Sequence, residues 1–184
     1  MKLLLAALDS ELSAFEDPID GFERLVTGAG KVKAAYGLTR RLDAGGVDEI
    51  VVVGTAGALD LDASGVYEIG AAIQHDVTDI DGIVGQHVSL PARVETGRGE
   101  ATIATGDIFV DDADAVASIR ALGATLVDME TYVYIWVAQQ FGVPITVLKA
   151  VSDNAQDGAT TIWDDAVAAC SVLLRAELRT RYGV

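Results

Sequence analysis

"LVDMETYVYIWVAQQFGVPITVLKAVSDNA", residues 126–155, decides the fold. It reads as the end of one strand (124–128), a helix (129–141) and a second strand (144–151). Gly142 suits the position just past a helix end, and Pro144 prevents the helix from continuing. The helix is apolar almost all the way round, the mark of a buried helix. Two carboxylates, Asp128 and Glu130, nevertheless stand where strand gives way to helix. A buried carboxylate is costly unless it is paired or used. Glu130 could interact with the helix dipole, but Asp128 can already supply the cap, which makes that the weaker reading.

Working outward, the same alternation covers the chain. Further strands are predicted at 2–7, 23–28, 48–54, 66–78 and 101–105, and further helices at 30–43, 111–122 and 162–181. "EIVVVGTAG" (49–57) is nearly all apolar until the glycine, as expected of a strand covered on both faces. Strands alternating with helices imply one α/β domain over 1–184, built on a mixed or largely parallel sheet. Residues 79–100, "DIDGIVGQHVSLPARVETGRGE", are the least regular and are expected to form loops and a hairpin.

Composition narrows the function. A net charge of −15 argues against nucleic acid and anionic membranes as partners, since phosphate backbones are met by clustered Lys and Arg. One cysteine, Cys170, can build neither a disulfide framework nor a cysteine metal site. His75 and His87 lack the spacing of a zinc motif, so no metal is expected. The opening "MKLLLAALDSE" has an apolar run of only Leu3 to Leu8, shorter than a signal core, and reads as a buried first strand. The expected location is the cytoplasm.

Two glycine-rich stretches fail as nucleotide motifs. "TGAGKVK" (27–33) lacks the GxxxxGK spacing, and Val32 follows Lys31 where a P-loop needs Ser or Thr. Its third fingerprint position holds Lys33, so it is not a dinucleotide turn either; a tight strand-to-helix turn is the simpler reading. "GTAGALD" (54–60) puts small residues at the carboxyl end of a strand, where open α/β sheets bind ligands.

Three acids follow predicted strand ends: Glu11, Glu130 and Asp153. Alone, Glu11 reads as an exposed first-turn residue, and Asp153 as a turn or cap residue. Carboxyl ends of parallel strands gather on one edge of a sheet, so the three can converge there, and the combination says more than any member.

Five blocks carry a resemblance: "MKLLLAALDSELSAF", "TGAGKVKAAYGLT", "VVVGTAGALD", "IATGDIFVDD" and the opening stretch. In that order they resemble the nucleoside phosphorylase/nucleosidase superfamily, most closely the 5′-methylthioadenosine/S-adenosylhomocysteine nucleosidases. The resemblance implies a three-layer sandwich with a central mixed, largely parallel sheet, no cofactor, a small purine nucleoside as partner and a homodimer. It implies that Glu130 holds the ribose 2′- and 3′-hydroxyls, with Met129 beside the sugar. Asp153 would protonate purine N7, oriented by Ser152, and Glu11 would activate water. Phe109 would stack on the purine and the backbone of Val110 would read the base edge. Thr55 stands where the family often has serine near sugar and water. The chain departs from the family in being shorter around 79–100, the region that helps form the 5′ pocket, and in Lys149, which replaces an arginine near the water.

The chemistry suits these residue types. Cleaving an N-glycosidic bond leaves a poor purine anion unless N7 is protonated, and a carboxylic acid with a raised pKa can do this near neutrality. Phosphorolysis would need a dianion cradle, usually arginines and backbone N–H groups. The first loop offers Asp9 and Glu11 and no arginine, which favours water. The alternatives are a purine nucleoside phosphorylase, a hydrolase of futalosine or adenosine, and a non-catalytic nucleoside-binding relative.

Overall fold

The computed structural model describes residues 1–60, 62–153, 155 and 163–184. Its strands are β1 (Lys2–Ala6), β2 (Phe22–Val26), β3 (Glu49–Ala58), β4 (Val66–Gln74), β5 (Arg93–Glu95), β6 (Ala101–Thr105), β7 (Leu126–Asp128) and β8 (Ile145–Asp153). The helices are α1 (Lys31–Asp43), α2 (Ala113–Ala121), α3 (Thr131–Phe141) and α4 (Trp163–Tyr182). A 3-10 turn, Asp9–Leu12, follows β1.

The strands form one mixed sheet. Pairings β1–β2, β1–β3, β3–β8, β4–β6 and β6–β7 are parallel. Pairings β3–β7, β4–β5 and β4–β8 are antiparallel. β3 lies against β8 for most of its length, yet its last residues, Gly57 and Ala58, pair with β7. The sheet therefore curls until β7 meets the far end of β3, which draws the ends of β3, β7 and β8 together.

Side chains of the central strands alternate between two apolar layers, which explains their lack of polar positions. Leu3, Leu5, Ile50 and Val52 face α1 and α3, with Ala34, Leu38 and Ile135. Leu4, Ala6, Val51 and Val53 face α4, with Cys170, Leu174 and Leu178. Val116 and Ile119 of α2 close a third cluster with Ile73, Ala104 and Val127. The chain thus has the expected α/β architecture of helices on both faces of a mixed, largely parallel sheet. Among the described residues, no helix is long and apolar enough to cross a membrane.

Differences from the sequence expectations are local. β3 runs on to Ala58 instead of stopping at 54, because Gly57 and Ala58 find a partner in β7. β4 stops at Gln74 rather than 78, where Asp76 turns to receive Lys31 and the Asp107 N–H. The irregular 79–100 region contributes β5, a three-residue strand with only Val94 buried, and a bridge between Thr78 and Val84. Helix α4 was expected from 162; that residue lies outside those described. Gly142 ends α3 in the left-handed conformation, at φ 65°, as its position predicts.

Candidate active site

Where the ends of β3, β7 and β8 meet, a cavity of about 130 Å³ opens. Glu11, Glu130 and Asp153 all line it, and Thr55, Phe109, Val110, Met129 and Ser152 share its walls. Of the site residues read from the sequence, Lys149 alone is not at the surface of the cavity. It lies behind the wall, 2% exposed.

Glu11 reaches the cavity through the 3-10 turn after β1. Its side chain folds back, so that Oε2 accepts the N–H groups of Ala7 at 3.1 Å and Leu8 at 3.0 Å. Oε1 accepts the Thr55 N–H at 2.7 Å and the Thr55 hydroxyl at 3.0 Å. Four donors fix this buried carboxylate between β1 and β3, far from the exposed first-turn residue that Glu11 would be in isolation. Gly54 makes the approach possible: a Cβ there would stand 3.1 Å from Glu11 Oε1 and 3.0 Å from Lys149 Nζ.

Asp153 owes its place to a bulge. β3 and β8 pair in register up to Ala56 with Val151, and then Gly57 pairs with Asp153, so that Ser152 is the extra residue. Bulges re-aim side chains in this way beside functional sites. Ser152 Oγ donates to Asp153 Oδ2 at 2.7 Å, and the Ala155 N–H donates to Oδ1 at 2.8 Å. Gly57 leaves room for the carboxylate, since a Cβ there would stand 3.2 Å from Oδ1.

Glu130 stands at the N-terminal boundary of α3 without capping it. Asp128 does that work instead: its Oδ2 accepts the N–H and hydroxyl of Thr131 at 3.0 and 2.5 Å. Glu130 is free to turn into the cavity, where Oε1 accepts the Gly30 N–H at 2.7 Å. Burial, and then the negative charge of Asp128, push its carboxyl up to about 7, against the pull of Lys149 and the Gly30 N–H.

Asp128 is the residue that sequence reasoning undervalued. It lines the cavity, and its Oδ1 also accepts the Thr105 hydroxyl at 2.7 Å. Lys149 Nζ lies 2.9 Å from Oδ2. Burial alone would lower the Lys149 pKa, but Asp128, Glu130 and Glu11 together hold it above its ordinary value. A lone cation in the apolar strand "ITVLKAV" was the signal that a buried carboxylate waited nearby. Ala29 and Ile108 also line the cavity and carry no side-chain chemistry that would have marked them.

Part of the cavity lining is apolar: Phe109, 43% exposed, lines it with the buried Val110, Val127 and Ala56. Among the described residues, no group of three or more His, Cys, Asp or Glu side chains is arranged to hold a metal ion.

The phosphorylase superfamily profile matches residues 89–177. A 5′-methylthioadenosine/S-adenosylhomocysteine nucleosidase of Geobacillus kaustophilus is 34% identical over 163 residues, covering 74% of this chain and 69% of the relative. The corresponding nucleosidase of Bacillus licheniformis is 35% identical over 155 residues, covering 71% of this chain and 67% of the relative. Among solved structures, native futalosine hydrolase of Helicobacter pylori superposes with a TM-score of 0.87 at 24% identity, over 97% of this chain and 95% of that one. The methylthioadenosine/S-adenosylhomocysteine nucleosidase of the same organism, bound to butyl-thio-DADMe-Immucillin-A, gives 0.85 at 23% identity, over 97% and 96%. The structural likenesses show the fold and the sequence relatives show the family: the chain is an enzyme of the 5′-methylthioadenosine/S-adenosylhomocysteine nucleosidase family, within the phosphorylase superfamily.

Proposed function

We propose that this enzyme hydrolyses the N-glycosidic bond of an adenosine-type nucleoside carrying a 5′-thio substituent, releasing adenine and a thioribose. The observation that carries the reading is the meeting of Glu11, Glu130 and Asp153, from three separate elements, on one cavity with an apolar, aromatic-lipped side. The purine lies between Phe109 and the apolar wall, with the Val110 backbone at its edge. Asp153, steadied by Ser152 and the Ala155 N–H, gives a proton to N7 and turns the base into a neutral leaving group. Glu130 grips the ribose hydroxyls beside Met129.

Glu11 takes the proton of the attacking water. Four protein donors occupy its oxygens, and a carboxylate offers about four lone-pair positions. One donor has to yield when water arrives. The Thr55 hydroxyl is the one that can rotate away without moving the backbone. Proton transfers of this kind contribute ~10²–10⁴-fold each.

Water is the preferred nucleophile on charge. Glu11, Asp128, Glu130 and Asp153 line the cavity, and among the described residues no arginine does. Lys149, behind the cavity wall, is already paired with Asp128. A phosphate dianion would meet repulsion there. Two copies of the chain pair through the 79–90 segment, where Ile80, Ile83, Val84 and Val88 stand exposed.

The test is base release from methylthioadenosine, S-adenosylhomocysteine, adenosine, inosine and futalosine, with and without phosphate. Adenine from the thio-nucleosides in phosphate-free buffer is the expected result. Release only with phosphate would make the enzyme a phosphorylase, and hypoxanthine-type release from futalosine would redirect the substrate assignment.

A further inference from the structure

Beside the cavity three residues form a closed ring, through side chains and backbone N–H groups, that the chemistry above does not use. Lys31 Nζ donates to Asp76 Oδ1 at 2.7 Å and to Gln74 Oε1 at 3.1 Å. Asp76 Oδ2 accepts the Asp107 N–H at 2.8 Å. Asp107 Oδ1, in turn, accepts the Lys31 N–H at 2.8 Å. The ring joins three segments that are distant in sequence: the start of α1, the end of β4 and the loop after β6.

Two of these segments are walls of the cavity. The first carries Ala29 and Gly30, whose N–H holds the Glu130 carboxylate at 2.7 Å. The other carries Ile108, Phe109 and Val110. The contact between them is tight: a Cβ on Gly30 would stand 3.0 Å from Asp107 Oδ1. Behind the second wall, His75 packs so closely on Gly106 that a Cβ there would stand 2.3 Å from its Nε2. The Lys31 and Asp76 side chains are 18% and 9% exposed, so solvent screens their ion pair only partly. Glu11 and Asp153, by contrast, stand on the 3-10 turn and β8, where their carboxylates are held by Ala7, Leu8 and Thr55 and by Ser152 and Ala155, none of them a member of the ring.

We infer that Lys31, Asp76 and Asp107 are positioning residues: their ring sets the distance between the sugar-holding wall at Gly30 and the base-holding wall at Phe109. The inference rests on the nucleosidase reading of the cavity. It assigns the "TGAGKVK" turn a function that its failed nucleotide motifs did not. The ring acts on how the nucleoside is held rather than on proton transfer, because the acid and the base are anchored elsewhere.

The experiment compares wild type, Asp76→Ala, Asp76→Asn and Lys31→Met for kcat and KM on methylthioadenosine, for adenine affinity by calorimetry, and for thermal midpoint. Breaking a charge-assisted contact that positions a wall is expected to raise KM about tenfold and weaken adenine binding by a like factor in Asp76→Ala. Values of kcat should stay within about threefold. Asp76→Asn, which keeps an acceptor for the Asp107 N–H, should fall between wild type and Asp76→Ala. Lys31→Met removes the ion pair from the other side and should shift KM in the same direction if Asp76→Ala fails to fold. Unchanged KM and adenine affinity in both charge-removing variants would overturn the inference, as would a loss confined to kcat. If wild type releases no base but binds adenine, the hydrolase reading fails while the ring is still judged by affinity. If it binds neither, both fall.

Discussion

Lys149 Nζ and Asp128 Oδ2 lie 2.9 Å apart, and each side chain is only 2% exposed. The pair joins β8 to β7 directly beneath the cavity, and the Asp128 carboxylate also ties Thr105 and Thr131. Lys149→Met would leave Asp128 buried and without its cation. Such half-broken pairs cost about 3–5 kcal/mol. Urea unfolding should show a loss of that order in Lys149→Met. A loss below about 1 kcal/mol would mean that water or another group already compensates Asp128.

Glu11→Gln is expected to cost stability as well as activity. The amide has one acceptor oxygen and a donor NH2 where the carboxylate receives the N–H groups of Ala7, Leu8 and Thr55. At least one backbone donor then faces another donor, at about 1–3 kcal/mol. The variant should remain folded with a lowered thermal midpoint, and hydrolysis should fall by ~10²-fold or more. Near-normal turnover would remove Glu11 from the role of base.

Asp153→Asn separates chemistry from stability more cleanly. The amide oxygen can still accept the Ala155 N–H, and Ser152 can turn its hydroxyl toward Ala56 O, 3.5 Å away. Hydrolysis should fall ~10²–10⁴-fold while the thermal midpoint moves little. A variant that still releases adenine at close to the wild-type rate would show that N7 is protonated by some other group.

Much of this was legible in the sequence, for identifiable reasons. The layers follow from the nearly continuous apolar runs in "EIVVVGTAG" and "VPITVLKAV", and the helix end follows from a glycine at 142, the residue that best accepts the left-handed backbone found there. The convergence of Glu11, Glu130 and Asp153 follows from their places after strand ends. Other features depend on contacts between distant segments, which no local pattern records. The antiparallel pairing of Gly57 and Ala58 with β7 is one. The Lys31, Asp76 and Asp107 ring is another, since its members are spread over three blocks. Strand β5 lies in the region read as loops and a hairpin, and its bounds were not legible because one buried residue, Val94, shows no periodicity. Asp128 was visible only as a cap, and its partnership with Lys149 needed the register of the sheet.

Glu130 gives the site a pH dependence whose sign is fixed. Its carboxyl titrates at about 7 in the folded protein, raised first by burial and next by Asp128, against an ordinary value of 4.5. Between those values the folded state keeps a proton that the unfolded state has lost. The stabilisation is therefore complete below pH 4.5 and is lost as pH rises through about 7. Glu130→Gln keeps a carbonyl for the Gly30 N–H and cannot titrate. Wild type should thus lose stability relative to Glu130→Gln as pH rises across that interval, a trend readable from denaturant midpoints at matched pH. Nucleoside binding should move the other way. An ionised Glu130 is the stronger acceptor for ribose hydroxyls, so wild-type KM should fall as pH rises through 7, and the variant's KM should stay flat. Parallel pH curves for the two proteins in both measurements would mean that Glu130 is already ionised well below neutrality and that its burial is compensated elsewhere.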